Sequence, residues 1–227
     1  MSKRDPIQLL DGGTRTAVGA VLIDDVSDAE LAASDAAWIS FLQPILESRS
    51  GLTRGGYRSW LEFVRAAYAA IIASGGSLNG LPENAHWKWL RKRQKTTAGG
   101  IVSGIEQGGE MQGLVLTRVD KVSRLTATTG QPIVYVDYLA TAPWNQRDVV
   151  SVPRFVGCGI ALISKAIEQS DARGWGGRIG LHSLTEAEPF YHKCVMTDLG
   201  IDTSYEGLRY FEMSGAQGQE FLKRIRQ

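Results

Sequence analysis

Hydrophobic and polar positions follow two rhythms along this chain. In SDAELAASDAAWISFLQPILES (27–48) and YRSWLEFVRAAYAAIIASGG (57–76), apolar residues recur every three or four positions, the period of an amphipathic helix. Ser27 and Glu30 form a capping-box pattern that opens the first helix, and Pro44 predicts a kink or an end within it. The second helix puts Trp60, Val64, Ala67 and Ile71 on one side and stops at Gly75 and Gly76. From residue 99 the rhythm shortens. GGIVSGIEQGG (99–109), EMQGLVLTRV (110–119) and QPIVYVDYLATAP (131–143) are short β-type runs parted by glycine or polar turns. IALISKAIEQSDAR (160–173) returns to helical period, with Ile160, Ile163 and Ile167 on one face and a stop at Arg173 and Gly174. GRIGLHSL (177–184) reads as a strand, TEAEPFYHKC (185–194) as a short helix, YEGLRYFEMS (205–214) as a last strand and GQEFLKRIRQ (218–227) as an amphipathic helical end. Near the N-terminus TAVGAVLIDD (16–25) fits a first strand, and the residues before it carry no readable period.

The order is helices, then strands, helix, strand, helix, strand, without internal repeat or low-complexity linker. We expect an α/β (α+β) fold in a single domain over 1–227, with a mostly helical N-terminal part (1–95), a core (98–213) and a helical tail (214–227). The 227 residues are enough to bury a sizeable core. A hydrophobic share of 43% with 22% charged residues belongs to the soluble globular class. A net charge of +1 argues against nucleic acid or an anionic membrane as partner. MSKRDPIQLL lacks the apolar stretch of a signal peptide, and no run of about 18 apolar residues predicts a membrane span. Cys158 and Cys194 read as free thiols, so the expected compartment is the cytoplasm. Three histidines and two cysteines show no zinc-site spacing, so no metal is expected.

One hexapeptide calls for chemistry. RFVGCG (154–159) sets two glycines directly at a helix start, where glycine costs on the order of 1 kcal/mol against alanine. Free N–H groups at a helix N-terminus carry partial positive charge, glycines let a ligand approach the backbone, and Arg154 adds a cation that engages phosphate oxygens. Together they make a pyrophosphate cradle. A tight turn with close helix–strand packing explains the same residues, and the hexapeptide alone leaves both readings open. No Lys-Ser/Thr follows, so it is not a Walker A loop, and the spacing is not GxGxxG.

Arg-x-x-Gly-x-Gly between a strand and a helix, followed by a strand and an FY pair on a short helix, resembles the GNAT superfamily of acyl-CoA N-acyltransferases. The resemblance covers residues 98–213 and departs from the pattern at WNQRDVVSVP (144–153), inserted ahead of the loop, where it could line the substrate channel or cover a sheet edge. It implies a mixed, mostly antiparallel sheet splayed between its fourth and fifth strands and flanked by helices, here with a helical N-terminal extension. It implies transfer of an acetyl group from acetyl-CoA to an amine acceptor by direct attack. Phe155, Val156, Gly157, Cys158 and Gly159, with Arg154, would hold the pyrophosphate, and the backbone of Leu139, Ala140 and Thr141 the pantetheine arm and thioester. Ser183 falls where the family often has a polar contact to the cofactor. Tyr191 would be the proton donor to the departing thiolate, a role that an unperturbed pKa near 10 suits.

Asp137 interrupts the apolar run IVYVDYL, where an unpaired acid is costly and burial would raise its pKa toward a useful range for a base. In the family an acid near this point often takes the amine's proton or binds a cationic substrate. A structural pairing with a neighbouring Arg or His is the alternative. His182 reads as a structural histidine, Cys158 as a small side chain between glycines, and Glu186 and Glu188 as residues of a helix start. HWKWLRKRQK (86–95) could clamp an anionic or aromatic acceptor, touch the 3′-phosphate of CoA or contact RNA, and the commoner reading is an anchoring tryptophan with a solvated basic face. The competing functional class is a non-catalytic acyl-CoA-binding sensor or interaction module, which the intact RFVGCG and FY disfavour. Dimers are common in the family, so a homodimer is a partner to expect.

Overall fold

The computed structural model describes residues 2–96 and 100–225. The boundary placed at residue 98 and the last two residues of the expected tail lie outside that range. In chain order the elements are β1 (Arg4–Asp11), β2 (Ala17–Ile23), α1 (Asp28–Ser50), α2 (Trp60–Ala73), α3 (Trp89–Lys95), β3 (Ile101–Gln107), β4 (Glu110–Val122), β5 (Pro132–Thr141), β6 (Phe155–Val156), α4 (Cys158–Asp171), β7 (Ile179–Ser183), α5 (Glu188–Lys193), β8 (Thr197–Asp202), β9 (Leu208–Met213) and α6 (Gly215–Ile225). The strands form one open sheet in the order β6-β1-β2-β3-β4-β5-β7-β9-β8, and only β5 and β7 run parallel. The sheet is therefore mixed and mostly antiparallel, with helices on both faces.

One face is covered by α4 and α6, which bury Leu162, Ile163, Ile167, Phe221 and Leu222 against Val134, Val136 and Leu181 of the central strands. The other face carries α1 and α3, with Trp38 and Trp89 packed on Leu114 and Leu116 of β4. A third cluster joins α1 to α2 through Leu42, Leu46, Phe63 and Val64. The capping box at Ser27 and Glu30 is formed. Pro44 neither ends nor splits α1, which runs on to Ser50 and closes at Gly51 with φ of 70°. Packing of Leu42 and Leu46, on either side of Pro44, offsets the one hydrogen bond that proline removes. Three strands have no counterpart in the sequence reading. β1 and β8 alternate too weakly to stand out, and β6 is two residues long. Each owes its pairing to a neighbour rather than to its own pattern.

Two pieces of this frame position the site. Asp35 of α1 is buried and accepts the N–H groups of Trp89 at 2.6 Å and Leu90 at 3.2 Å, capping α3 from another helix. Trp38 then meets Trp89 edge to face and donates its indole N–H to the Met111 carbonyl of β4. At the other side of the sheet His182 of β7 lies between Tyr135 of β5, 2.7 Å from Nδ1, and Asp202 of β8, 3.0 Å from Nε2. The ionised carboxylate can only accept, so Nε2–H donates to Asp202 and Nδ1 accepts the Tyr135 hydroxyl. This matches the structural reading of His182.

Both give predictions. Asp35→Ala leaves two backbone N–H groups buried without an acceptor and should lower unfolding free energy by about 2 kcal/mol, read from urea denaturation. Burial holds the His182 imidazole below its ordinary 6.5 against the opposing pull of Asp202. The unfolded chain thus takes the proton first, so this contribution to stability is complete above pH 6.5 and declines as pH falls below it. Melting temperature should drop between pH 7 and 5 in the native protein, by less in His182→Gln; equal slopes would remove His182 as a source of the drop.

Candidate acyl-CoA site

β5 and β7 pair over only three positions, Val134–Ile179, Tyr135–Gly180 and Val136–Leu181, and then part. The parting falls between the strands the resemblance counts as fourth and fifth, here β5 and β7, because β1 and β6 enter the count. It coincides with a break in the register of β5 against β4. Leu116 faces Tyr138 and Thr117 faces Val136, so Asp137 is an extra residue on β5. The bulge inverts the side-chain alternation. Val134 and Val136 face α4, and beyond the bulge Leu139 does so, while Tyr138 and Ala140 join the α1–α3 layer.

The register also tells where the backbone points. Ala142 N–H donates to the Gln112 carbonyl at 3.0 Å. Alternation then turns Ala140 toward its partner Leu114 on β4, and turns the N–H and C=O groups of Leu139 and Thr141 away from β4. They face the side that β7 has vacated, where Gln146 takes the Thr141 carbonyl at 2.7 Å.

The glycine loop closes the far end of the same space. Gly157 is the N-cap of α4 at φ of 101°, a left-handed conformation that disfavours any side chain. Gly159 serves packing, since a Cβ there would lie 3.1 Å from the Phe190 ring of α5. The two glycines thus answer to different demands, one dihedral and one steric. The N–H groups that open α4 have no partner within the helix and point outward. Asn145, in the inserted segment, fixes the loop: its Oδ1 accepts the Phe155 N–H at 2.9 Å while its Nδ2 donates to the Gln112 carbonyl at 3.1 Å. β1 pairs with Phe155 and Val156 from the other side.

These elements enclose a cavity of about 310 Å³. It gathers Leu139, Ala140, Thr141, Phe155, Val156, Gly157, Cys158, Gly159 and Tyr191 on one surface. Tyr191 is buried, in edge-to-face contact with Phe190 and tilted on Phe211. Burial pushes its phenol well above the ordinary 10, so it stays protonated at neutral pH but is a weaker acid than the unperturbed phenol expected from the sequence. Burial also pushes the Cys158 thiol up to about 12, which leaves no thiolate for nucleophilic work.

Three sequence-singled residues stand apart from this cavity. Arg154 is half exposed, bonded to Glu110 at 2.7 Å, with its guanidinium over the Trp144 ring. Ser183 is buried and donates its hydroxyl to the Leu184 carbonyl. Asp137 lines a second cavity of about 350 Å³ on the α3 side. There it lies 3.5 Å from Arg118, and burial raises its carboxyl above the ordinary range against the pull of Arg118 and Lys92. The sequence reading missed Glu83 and Glu186 as wall residues, and it did not single out Asn145 within the inserted segment 144–153, which the structure makes part of the wall. Glu83 and Glu186 exchange carboxylate–backbone hydrogen bonds, at 3.4 and 3.2 Å, across the cavity's rim. No local pattern joins positions a hundred residues apart. Among the described residues no group of three His, Cys, Asp or Glu side chains could hold a metal, and no helix is long and apolar enough to cross a membrane.

No protein-family model matches the sequence, and no curated protein is significantly similar to it. Solved structures are. An uncharacterized protein of Bacillus halodurans aligns at a TM-score of 0.50 and 9% identity, over 95% of this chain and 93% of the other. A GNAT-family acetyltransferase of Listeria monocytogenes aligns at 0.45 and 12%, over 91% and 99%. The Bacillus subtilis N-acetyltransferase YlbP, solved with coenzyme A, aligns at 0.37 and 15%, over 50% of this chain and 66% of that one. The open mixed sheet, the strands parting after Val136 and Leu181, and the glycine loop heading the helix between them are the arrangement that the resemblance to the GNAT superfamily implies.

Proposed function

We propose that this protein is an acyl-CoA-dependent N-acyltransferase that moves an acetyl group from acetyl-CoA to an amine. One observation carries the reading: the parted β5 backbone, the α4 N-terminus and a buried Tyr191 border one cavity. The donor set fits the cosubstrate. Nothing lies within 4 Å of where a Gly157 Cβ would stand, so the loop borders open space lined by N–H groups suited to a diphosphate. The outward groups of Leu139 and Thr141 suit a pantetheine amide, and the Leu139 N–H suits the thioester oxygen, where negative charge develops. Arg154 would reach a phosphate by giving up Glu110.

When bound, acetyl-CoA supplies an activated acyl carbon and a thiolate leaving group. The amine forms the new C–N bond as the C–S bond breaks. Tyr191 gives its proton to the thiolate, and Asp137, its carboxyl pKa raised, takes the amine's proton directly or through water. Ser183, held by its own backbone bond, would shape the β7 side of the cleft.

Calorimetric titration with acetyl-CoA is the direct test. The native protein should bind, and Gly157→Glu, which adds bulk and negative charge at a left-handed position, should abolish binding while the circular dichroism spectrum is retained. Folded native protein that binds no acyl-CoA would overturn the proposal. Tyr191→Phe should bind acetyl-CoA like the native protein and lose roughly a hundredfold or more in turnover, measured as thiol release with an active acceptor.

A further inference from the structure

The second cavity has a polarity of its own. Lys88, Arg91, Lys92 and Lys95 line it from α3 and the residue before it, and Arg118 lines it from β4. Asp137 is the sole carboxylate among its described lining residues. The opposite face of α3 is different, since Arg93 there pairs with Asp25 and Asp28. Arg118 is shared between Asp120 at 3.6 Å and Asp137 at 3.5 Å, whereas Lys88, Arg91, Lys92 and Lys95 form no ion pair among the described residues.

Lys92 makes the asymmetry specific. Its ammonium lies 4.1 Å from the Trp87 ring centroid and 3.2 Å from that of Tyr138, held by ring faces rather than by a carboxylate. Burial lowers its pKa to about 7, with Lys95 adding to the effect and Asp137 opposing it. A lysine in that condition gains from an anion placed beside it. The cavity also lies next to the proposed chemistry. Tyr138 lines it, the next residue Leu139 lines the first cavity, and the segment before α3 borders both, Asn84 on one and Trp87 on the other. Its volume of about 350 Å³ suits a small molecule.

We propose, resting on the acyltransferase reading, that this cavity is the acceptor subsite and selects a small amine whose other end carries an anionic group, phosphate or carboxylate. Lys88, Arg91 and Lys92 hold the anion, Trp87 and Tyr138 flank the stem, and the amine extends past Asp137 toward Leu139.

The experiment titrates native protein by calorimetry, with and without acetyl-CoA, using O-phosphoethanolamine, L-glutamate, ethanolamine and putrescine as probes. O-phosphoethanolamine, L-glutamate or both should bind more tightly than ethanolamine and putrescine, and which of the two binds better identifies phosphate or carboxylate as the preferred anion. Lys88→Glu and Arg91→Glu are exposed positions outside the proposed catalytic groups. Each should weaken the anionic probe roughly tenfold and leave acetyl-CoA affinity unchanged. Near pH 7.5, binding should also take up part of a proton, seen as a heat that depends on buffer ionisation and disappears in Lys92→Met. Acetyl-CoA binding without either anionic amine binding overturns the subsite alone, as does putrescine binding more tightly than both and weakening in Asp137→Asn. Loss of acetyl-CoA binding in the native protein would instead strike the acyltransferase reading, and the anionic probes report on the cavity independently of it.

Discussion

The separation of β5 from β7 after Val136 and Leu181 is the constraint on which the rest of this structure depends. A parallel pair inside a sheet ordinarily satisfies both edges of each strand. Here β5 continues for five residues, 137–141, with only β4 to pair, and its outward N–H and C=O groups need another partner. The bulge at Asp137 belongs to the same event. One extra residue sends Leu139 toward α4 and Tyr138 toward α3, so consecutive side chains serve cavities in different layers. Without the extra residue Tyr138 would face α4 and Leu139 the α1–α3 layer, exchanging the side chains offered to the two cavities.

Opening a sheet exposes polar backbone, and the surrounding elements limit where the opening runs. At its base the Tyr135–His182–Asp202 chain ties β5, β7 and β8 together just below the point of parting. At its mouth Asn145 joins the end of β4 to the glycine loop, and β1 pairs with that loop from outside. The inserted segment 144–153, a departure from the compact pattern, is therefore part of the wall. In the loop glycine answers two demands, a left-handed dihedral at Gly157 and the closeness of the Phe190 ring at Gly159.

Charge is distributed across this frame in opposite senses. Glu83, Asp148 and Glu186 border the first cavity with Arg147, whereas lysine and arginine dominate the second. The net charge of +1 hides this completely. Burial then tunes the groups on each side: Tyr191 keeps its proton, Asp137 is made more basic, and Lys92 is brought close to neutrality at physiological pH. Each shift favours the form with less charge, because each group is withdrawn from water beside aromatic rings or apolar strand residues.

The long helices, the central strands and the glycine loop were legible in the sequence because their signals are local. Period, capping residues and the RFVGCG spacing are all contained within a few turns of chain. β1, β6 and β8 were not, since each exists through a neighbour's hydrogen bonds, and α1 ran past Pro44 because tertiary contacts outweighed a local breaker. The same division holds at the site. The residues that line the first cavity by backbone or by motif position were named from the sequence, since a loop and a strand end carry their geometry with them. That Arg154 bonds Glu110, that Asp137 faces Lys92 and Arg118, and that Glu83 meets Glu186 were decided by the tertiary structure alone. These are encounters between side chains far apart along the chain, and only the packing of layers on a parted sheet brings them within reach of one another.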